Sequence, residues 1–142
     1  MLSVVDTFAV LCVTSLAERE LSLITQACAL ASERDPKLRL TVLREDASIA
    51  ELSKAGLLVA IGTDPSAAVT IPRAQELGLP VLATDGGVAR QLIQPGRSGF
   101  IAPAATVPLA DAICWLAHRP PVRERLRSGG LLAAGARLAQ PA

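Results

Sequence analysis

The chain has 142 residues, a length that favours one domain with room for a hydrophobic core. Fourteen basic and thirteen acidic residues give a net charge of +1, so no long-range field attracts nucleic acid or an acidic membrane surface. Two Phe, one Trp and no Tyr leave the chain without the aromatic side chains of a base-stacking surface.

The first half of the chain predicts buried strands separated by helices. Three apolar runs have the length of a strand: 8–13, 38–43 and 57–61. Ser15 and Glu18 have the spacing of a capping box, which begins a helix that runs to about Ser32. Residues 47–55 predict a short helix that Gly56 closes.

The second half continues the same alternation. Two further strands are predicted, at 81–83 and 100–102. The helix after the third strand contains Pro72, so it either begins late, near Ile71, or kinks there. Gly78 ends that helix.

The C-terminal third predicts three helices. Thr106 is expected to cap the first, over 108–117. Pro120 opens the second, and the pair Gly129–Gly130 is expected to stop it. Residues 131–138 then form a final helix.

Strands that alternate with helices over short linkers predict parallel pairing through right-handed crossovers. We therefore expect an α/β fold: a doubly wound, mainly parallel five-stranded sheet with helices on both faces. Ligands of such sheets bind outside the carboxyl ends of the strands. Four loops are expected at that edge: 14–15, 44–46, 63–66 and 84–87.

The cysteines and the N-terminus indicate a compartment. Cys12, Cys28 and Cys114 stand far apart in apolar segments without metal-ligand spacing, which predicts buried free thiols in a reducing cytoplasm. Residues 1–13 lack the basic region and cleavage site of a signal peptide. No apolar run reaches the roughly 18 residues of a membrane span, so none is expected.

Two loops at the predicted binding edge have alternative interpretations. Gly86 and Gly87 follow a strand and precede a helix, so their amides could bind a phosphate. A tight strand-to-helix turn would require glycine equally well. Residues 63–66 could cradle an anion at a helix start, or Asp64 could simply cap that helix.

Residues 78–103 carry the most specific pattern: a helix ending in Gly-Leu-Pro-Val, then Ala-Thr-Asp, a Gly-Gly pair, a short helix, and a Gly-x-x-Gly turn before Pro103. This pattern resembles the C-terminal half of family-4 retaining glycosyltransferases of GT-B architecture, and the similarity extends over nearly the whole chain. The resemblance implies a single Rossmann-like domain over 1–142 that binds a nucleoside-diphosphate sugar. It also implies that acceptor binding belongs to a separate N-terminal domain or to a partner protein.

Five departures from the family pattern bear on activity. No part of these 142 residues is expected to correspond to the family's N-terminal domain. The family's paired glutamates align with Pro65 and Arg73, and its diphosphate-binding basic pair aligns with Ser15 and Arg19. A glutamate after the Gly-Gly pair aligns with Gln91. One strand–helix unit is missing over 42–51, which leaves the strand order 2-1-3-4-5.

By resemblance, the candidate donor-phosphate residues are Ser15, Arg19, Asp64, Ser66, Arg73, Thr84, Gly86 and Gly87. Arg19 is equally well a solvated side chain, and Arg73 could instead pair with Glu76 or Asp85. Asp64 and Asp85 could together ligate a metal, but these glycosyltransferases are generally metal-independent, so neither metal nor cofactor is expected. His118 is interpreted as structural, and no catalytic residue is identified.

Three functional interpretations follow. The chain is the donor-binding half of a transferase in carbohydrate biosynthesis, which would not transfer a hexosyl group by itself. Alternatively, it is a degenerate, non-catalytic domain that scaffolds a glycosylation or polysaccharide-assembly complex. The third alternative is a small nucleotide- or phosphate-binding module that acts alone.

Overall fold

A computed structural model describes residues 7–14, 18–43 and 47–139. Within these ranges five strands alternate with six helices. The strands are β1 (Phe8–Val13), β2 (Leu38–Leu43), β3 (Leu57–Ala60), β4 (Val81–Thr84) and β5 (Phe100–Ala102). The helices are α1 (Glu18–Arg34), α2 (Ile49–Ser53), α3 (Ala67–Glu76), α4 (Gly87–Leu92), α5 (Thr106–Ala117) and α6 (Pro120–Ala139).

The strands form one sheet in the order β2-β1-β3-β4-β5, and every neighbouring pair is parallel. The register places Val10 of β1 opposite Leu40 of β2 and Leu57 of β3. The predicted doubly wound α/β fold and its strand order are confirmed.

Alternate residues of each strand pack against helices on opposite faces of the sheet. On one face, Val10, Cys12 and Val59 belong to an apolar cluster with α1 and α5. On the other face, Leu11 and Leu58 belong to a cluster with α2, α3 and α4. Because both faces of the central strands are covered, β1, β3 and β4 are nearly continuous apolar runs, whereas edge strand β2 alternates with exposed Arg39 and Thr41.

Helix α2 begins with a capping box that the sequence analysis did not identify. The Ser48 hydroxyl accepts from the Glu51 amide at 3.1 Å, and the Glu51 carboxylate accepts from the Ser48 amide at 3.0 Å. The hydrogen bond that the Ser48 amide donates to the Glu51 carboxylate lowers the pKa of Glu51. The capping box predicted from Ser15 lies outside the described residues.

Helix α3 begins at Ala67 and continues through Pro72, so the predicted late start is wrong. A turn sets the earlier start, because the Ala67 amide donates to the Asp64 carbonyl at 3.0 Å. The helix ends as predicted at Gly78, whose φ of 72° suits a residue without a Cβ.

Two predicted helix boundaries at the C-terminal end are wrong. Thr106 is the first residue of α5 and not its cap, and its hydroxyl instead donates to the side-chain oxygen Oε1 of Gln26 at 3.4 Å. Helix α6 runs unbroken through Gly129 and Gly130. A Cβ on Gly129 would lie 1.8 Å from the Arg97 carbonyl oxygen, so this glycine permits close packing and does not stop the helix.

None of the helices in the described part of the chain combines the length and the apolar composition needed to cross a bilayer.

Candidate functional site

A cavity of about 460 Å³ opens at the carboxyl edge of the sheet, where ligands of doubly wound folds bind. It lies over the ends of β3 and β4, between the N-terminal parts of α1 and α5. Polar side chains from all four of these elements line it, among them Arg19, Gln26, Thr63, Thr84, Asp85 and Thr106. The cavity therefore offers one cation, Arg19, two carboxylates, Glu20 and Asp85, and several neutral hydrogen-bonding groups.

Gly62, which does not itself line the cavity, joins the loops after β3 and β4 that do. Its amide donates to the Thr84 hydroxyl at 2.9 Å. Its carbonyl accepts from the amides of Val88 and Ala89 at 3.1 and 3.2 Å. A Cβ on Gly62 would lie 1.8 Å from the Thr84 carbonyl oxygen, so the loops after β3 and β4 approach more closely than any other residue would permit.

The same contacts bear on the Gly86–Gly87 turn. A Cβ on Gly86 would lie 2.5 Å from the Gly62 carbonyl oxygen, which accounts for glycine there by close approach alone. That carbonyl already accepts from two amides in the first turn of α4, at Val88 and Ala89. Gly87 faces open space, with no atom within 4 Å of the position of a Cβ. The tight-turn interpretation therefore explains Gly86, and the proposed role of these amides in phosphate binding stays a prediction.

Asp85 is one of two carboxylates that line the cavity, and an arginine holds it in place. Arg90 of α4 donates from Nε and Nη2 to the two Asp85 oxygens, each at 2.8 Å. This paired hydrogen bond lowers the pKa of Asp85 and raises that of Arg90. At neutral pH the carboxylate is therefore ionised, and the Arg90 guanidinium on α4 balances its charge.

Asp64 is buried at the start of α3. One of its oxygens accepts from the Ser66 amide at 3.0 Å. The other, Oδ2, is buried without a hydrogen-bond partner among the described residues, as is the hydroxyl of Thr14 at the end of β1. Because β1 and β3 are neighbours, both groups lie at the binding edge of the sheet.

The structure brings together only part of the predicted site. Arg19 and Thr84 line the cavity. The other described candidates do not line it, and they lie at the starts of α3 and α4 or within α3: Asp64, Ser66, Arg73, Gly86 and Gly87. Ser15 lies outside the described residues.

The lining residues that the sequence did not predict come mainly from α1 (Glu20, Ser22, Leu23 and Gln26) and from a fifth loop. Residues 103–105 follow β5 and precede α5, so this loop lies at the same edge as the four that were predicted. Ala104, Ala105 and Thr106 all line the cavity. The carboxyl end of the fifth predicted strand was a sufficient signal for them, whereas nothing in the sequence indicated Gln26.

Outside the cavity, His118 and Arg123 have structural partners. His118 Nε2 lies 2.7 Å from Asp35 Oδ2, which ties the end of α5 to the end of α1. Arg123 donates to the carbonyls of Leu116 and Ala117, both at 2.7 Å, at the end of α5. These contacts agree with the structural interpretation of His118.

No protein-family model matches the chain, and no characterised protein matches it by sequence. Solved structures do match. HepE of Anabaena, crystallised with UDP and glucose, is 21% identical with a TM-score of 0.75 over 93% of this chain. The C-terminal domain of the group 1 glycosyl transferase LpcC of Francisella tularensis is 12% identical, with a TM-score of 0.77 over 94% of this chain. Sucrose-phosphate synthase of Thermosynechococcus elongatus is 20% identical, with a TM-score of 0.73 over 94% of this chain.

The chain covers a different fraction of each of these three proteins. The matched part is 87% of the LpcC domain, but only 44% of HepE and 42% of sucrose-phosphate synthase. This chain therefore has the Rossmann-like fold of the C-terminal domain of GT-B glycosyltransferases, and it spans less than half the length of the two longer relatives.

Proposed function

We propose that this chain is the donor-binding half of a GT-B glycosyltransferase of the retaining, family-4 type, folded as one domain over residues 1–142. The nucleoside diphosphate of the sugar donor binds in the cavity over β3 and β4. The observation that carries this proposal is the cavity itself: about 460 Å³ at the carboxyl edge of the sheet, in a fold shared with a HepE structure that contains UDP.

Most of the polar side chains of the cavity suit a diphosphate, and the carboxylate of Glu20, next to Arg19 on α1, is the exception. Transfer from a nucleotide sugar requires neutralisation of the leaving diphosphate and alignment of donor and acceptor. Arg19, exposed on the first turn of α1, supplies a positive charge. The hydroxyls of Thr63 and Thr106 and the amide of Gln26 supply hydrogen bonds.

Catalysis needs more than this chain. We propose that an N-terminal acceptor domain, in the same protein or in a partner, completes the active site. The family's paired glutamates would align with Pro65 and Arg73, so no carboxylate stands at either position. We expect no hexosyl transfer by this chain alone.

A second candidate function is a non-catalytic scaffold of a glycosylation complex. The contacts of Gly62 favour this alternative. Its carbonyl accepts hydrogen bonds from the amides of Val88 and Ala89, which are therefore not available to a phosphate. The Asp85 carboxylate is likewise occupied by Arg90. A scaffold would retain the fold without retaining donor affinity.

Thermal unfolding with and without nucleotide distinguishes these functions. A ligand that binds only the folded state stabilises it, by about 2.7 kcal/mol at a hundred times its Kd. We expect millimolar UDP, GDP or ADP to raise the Tm by several degrees for one of the three. Arg19→Ala should reduce the rise. Arg39→Ala, which removes an exposed arginine from edge strand β2 outside the cavity, should leave it unchanged.

The alternatives give different results in the same assay. An equal rise with inorganic pyrophosphate would indicate a phosphate-binding module without nucleotide recognition. If none of the nucleotides raises the Tm, donor binding is excluded and the scaffold interpretation stands. That interpretation then predicts a complex of defined stoichiometry with a glycosyltransferase.

A further inference from the structure

Two thiols meet in the core between β1 and α1. The sulfur atoms of Cys12 and Cys28 lie 3.4 Å apart, in a hydrogen bond that either thiol can donate. Cys12 is fully buried, whereas Cys28 is 8% exposed. The two cysteines are 16 positions apart in sequence, and this spacing alone does not predict that they meet.

We propose that Cys12 and Cys28 form a redox-active dithiol, which a peroxide oxidises to an intramolecular disulfide between β1 and α1. The sulfurs already face each other, and a disulfide requires them to approach to about 2.05 Å. Both residues belong to the same apolar cluster, in which helix α1 packs directly on the strand. The movement required is therefore a small adjustment of two side chains and one helix.

The two thiols have different roles in the reaction. The hydrogen bond from Cys12 lowers the pKa of Cys28, and the same bond together with burial raises the pKa of Cys12. Cys28 is also the more exposed of the two. Cys28 is therefore the thiolate that meets the oxidant, and Cys12 is the thiol that resolves the product.

The steps balance with hydrogen peroxide as the oxidant. The Cys28 thiolate attacks one peroxide oxygen, the O–O bond breaks, and the products are a sulfenic acid and hydroxide. The Cys12 sulfur then attacks the Cys28 sulfur, the S–O bond breaks, and the sulfenic oxygen leaves as water with the proton from Cys12. Two sulfurs are oxidised and the two peroxide oxygens are reduced.

Cys114 is the matched control within the same chain. It is partly buried on α5, and its thiol lies 3.9 Å from the Ala31 carbonyl oxygen. Burial raises its pKa, so its thiol is a poorer nucleophile than Cys28. A peroxide that acted without selectivity would modify Cys114 as well.

Peptide mapping tests the proposal on the unmodified chain. The folded protein is treated with hydrogen peroxide, its free thiols are alkylated in denaturant, and it is digested with trypsin without reduction. Cleavage after Arg19 and Arg34 separates Cys12 from Cys28, and Cys114 falls in the peptide 98–123 because the Arg119–Pro120 bond resists trypsin. We expect a peptide pair containing Cys12 and Cys28 that reductant separates, with Cys114 alkylated.

Variants and thermal unfolding give a second readout. Cys114→Ala should form the same crosslink, and Cys28→Ala should form none. Closing this short loop should raise the Tm of the oxidised protein by on the order of 10 °C. The proposal is overturned if the native protein yields no crosslink, if the crosslink forms only in denaturant, or if Cys28 becomes a sulfinic acid while Cys12 remains a free thiol.

Discussion

At the scale of single residues, Gly62 determines the geometry of the binding edge. Its amide binds the Thr84 hydroxyl, and its carbonyl binds two amides of α4. These contacts fix the loops after β3 and β4 against each other, and both loops contribute to the cavity. The shape of the site thus depends on a residue that does not line it.

Gly62→Ala is expected to destabilise the fold by about 3 kcal/mol or more, because its Cβ would lie 1.8 Å from a backbone oxygen that cannot move alone. Urea unfolding measures the change. Gly87→Ala is the matched control, since nothing lies within 4 Å of its Cβ position at the start of the same α4. The free energy of unfolding of Gly87→Ala should rise by about 0.5 kcal/mol. Equal effects of the two substitutions would contradict the close approach at Gly62.

Sequence reasoning could not find the polar contacts between distant residues. Gln75 is fully buried, donates to the Leu92 carbonyl at 3.1 Å and accepts from Arg137 at 2.6 Å. Arg137 lies 62 residues away from it. No local pattern marks such a pair, because each residue by itself resembles an ordinary polar side chain on a helix.

At the scale of elements, α6 shows how packing overrides local propensity. Two consecutive glycines disfavour a helix by roughly 1 kcal/mol each relative to alanine, which is why a break was predicted there. Gly129 instead lies against the Arg97 carbonyl, and Gly130 packs on Gln75 of α3. Contacts with α3 and with the turn before β5 hold the helix together across the weak point.

Gly129→Ala should therefore destabilise the protein by about 3 kcal/mol, although alanine is the better helix former. Its Cβ would lie 1.8 Å from the Arg97 carbonyl oxygen. Gly135→Ala, in the same helix but exposed and without a neighbour within 4 Å, should stabilise by roughly 1 kcal/mol. Chemical denaturation of the two variants side by side checks the sign. Stabilisation by both would mean that α6 does not pack closely on the turn.

At the scale of the whole molecule, the sheet is most protected at its centre. β3 lies between β1 and β4, and its four residues are at most 1% exposed. β2 and β5 form the edges, and each pairs with a single neighbour. The architecture therefore concentrates stability in the strands that carry the cavity.

Native-state hydrogen exchange should reflect this order. Amides of 57–60 and 81–83 are expected to exchange slowest, near the rate set by global unfolding, and those of β2 and β5 faster. Mass spectrometry of peptic fragments measures the rates. Protection of β5 equal to that of β3 would contradict an open edge and would indicate that another chain covers it.

The sequence by itself determined where the strands lie and that they pair in parallel. Strand runs at 8–13, 38–43 and 100–102 match the structure residue for residue. Burial on both faces leaves a continuous apolar signature at 8–13, whereas apolar residues alternate with Arg39 and Thr41 in edge strand 38–43. Tertiary structure alone decided the cavity lining, the role of Gly129 and the meeting of Cys12 with Cys28. These features arise from contacts between residues that are far apart in the sequence, and only the packing of the folded chain brings their atoms into contact.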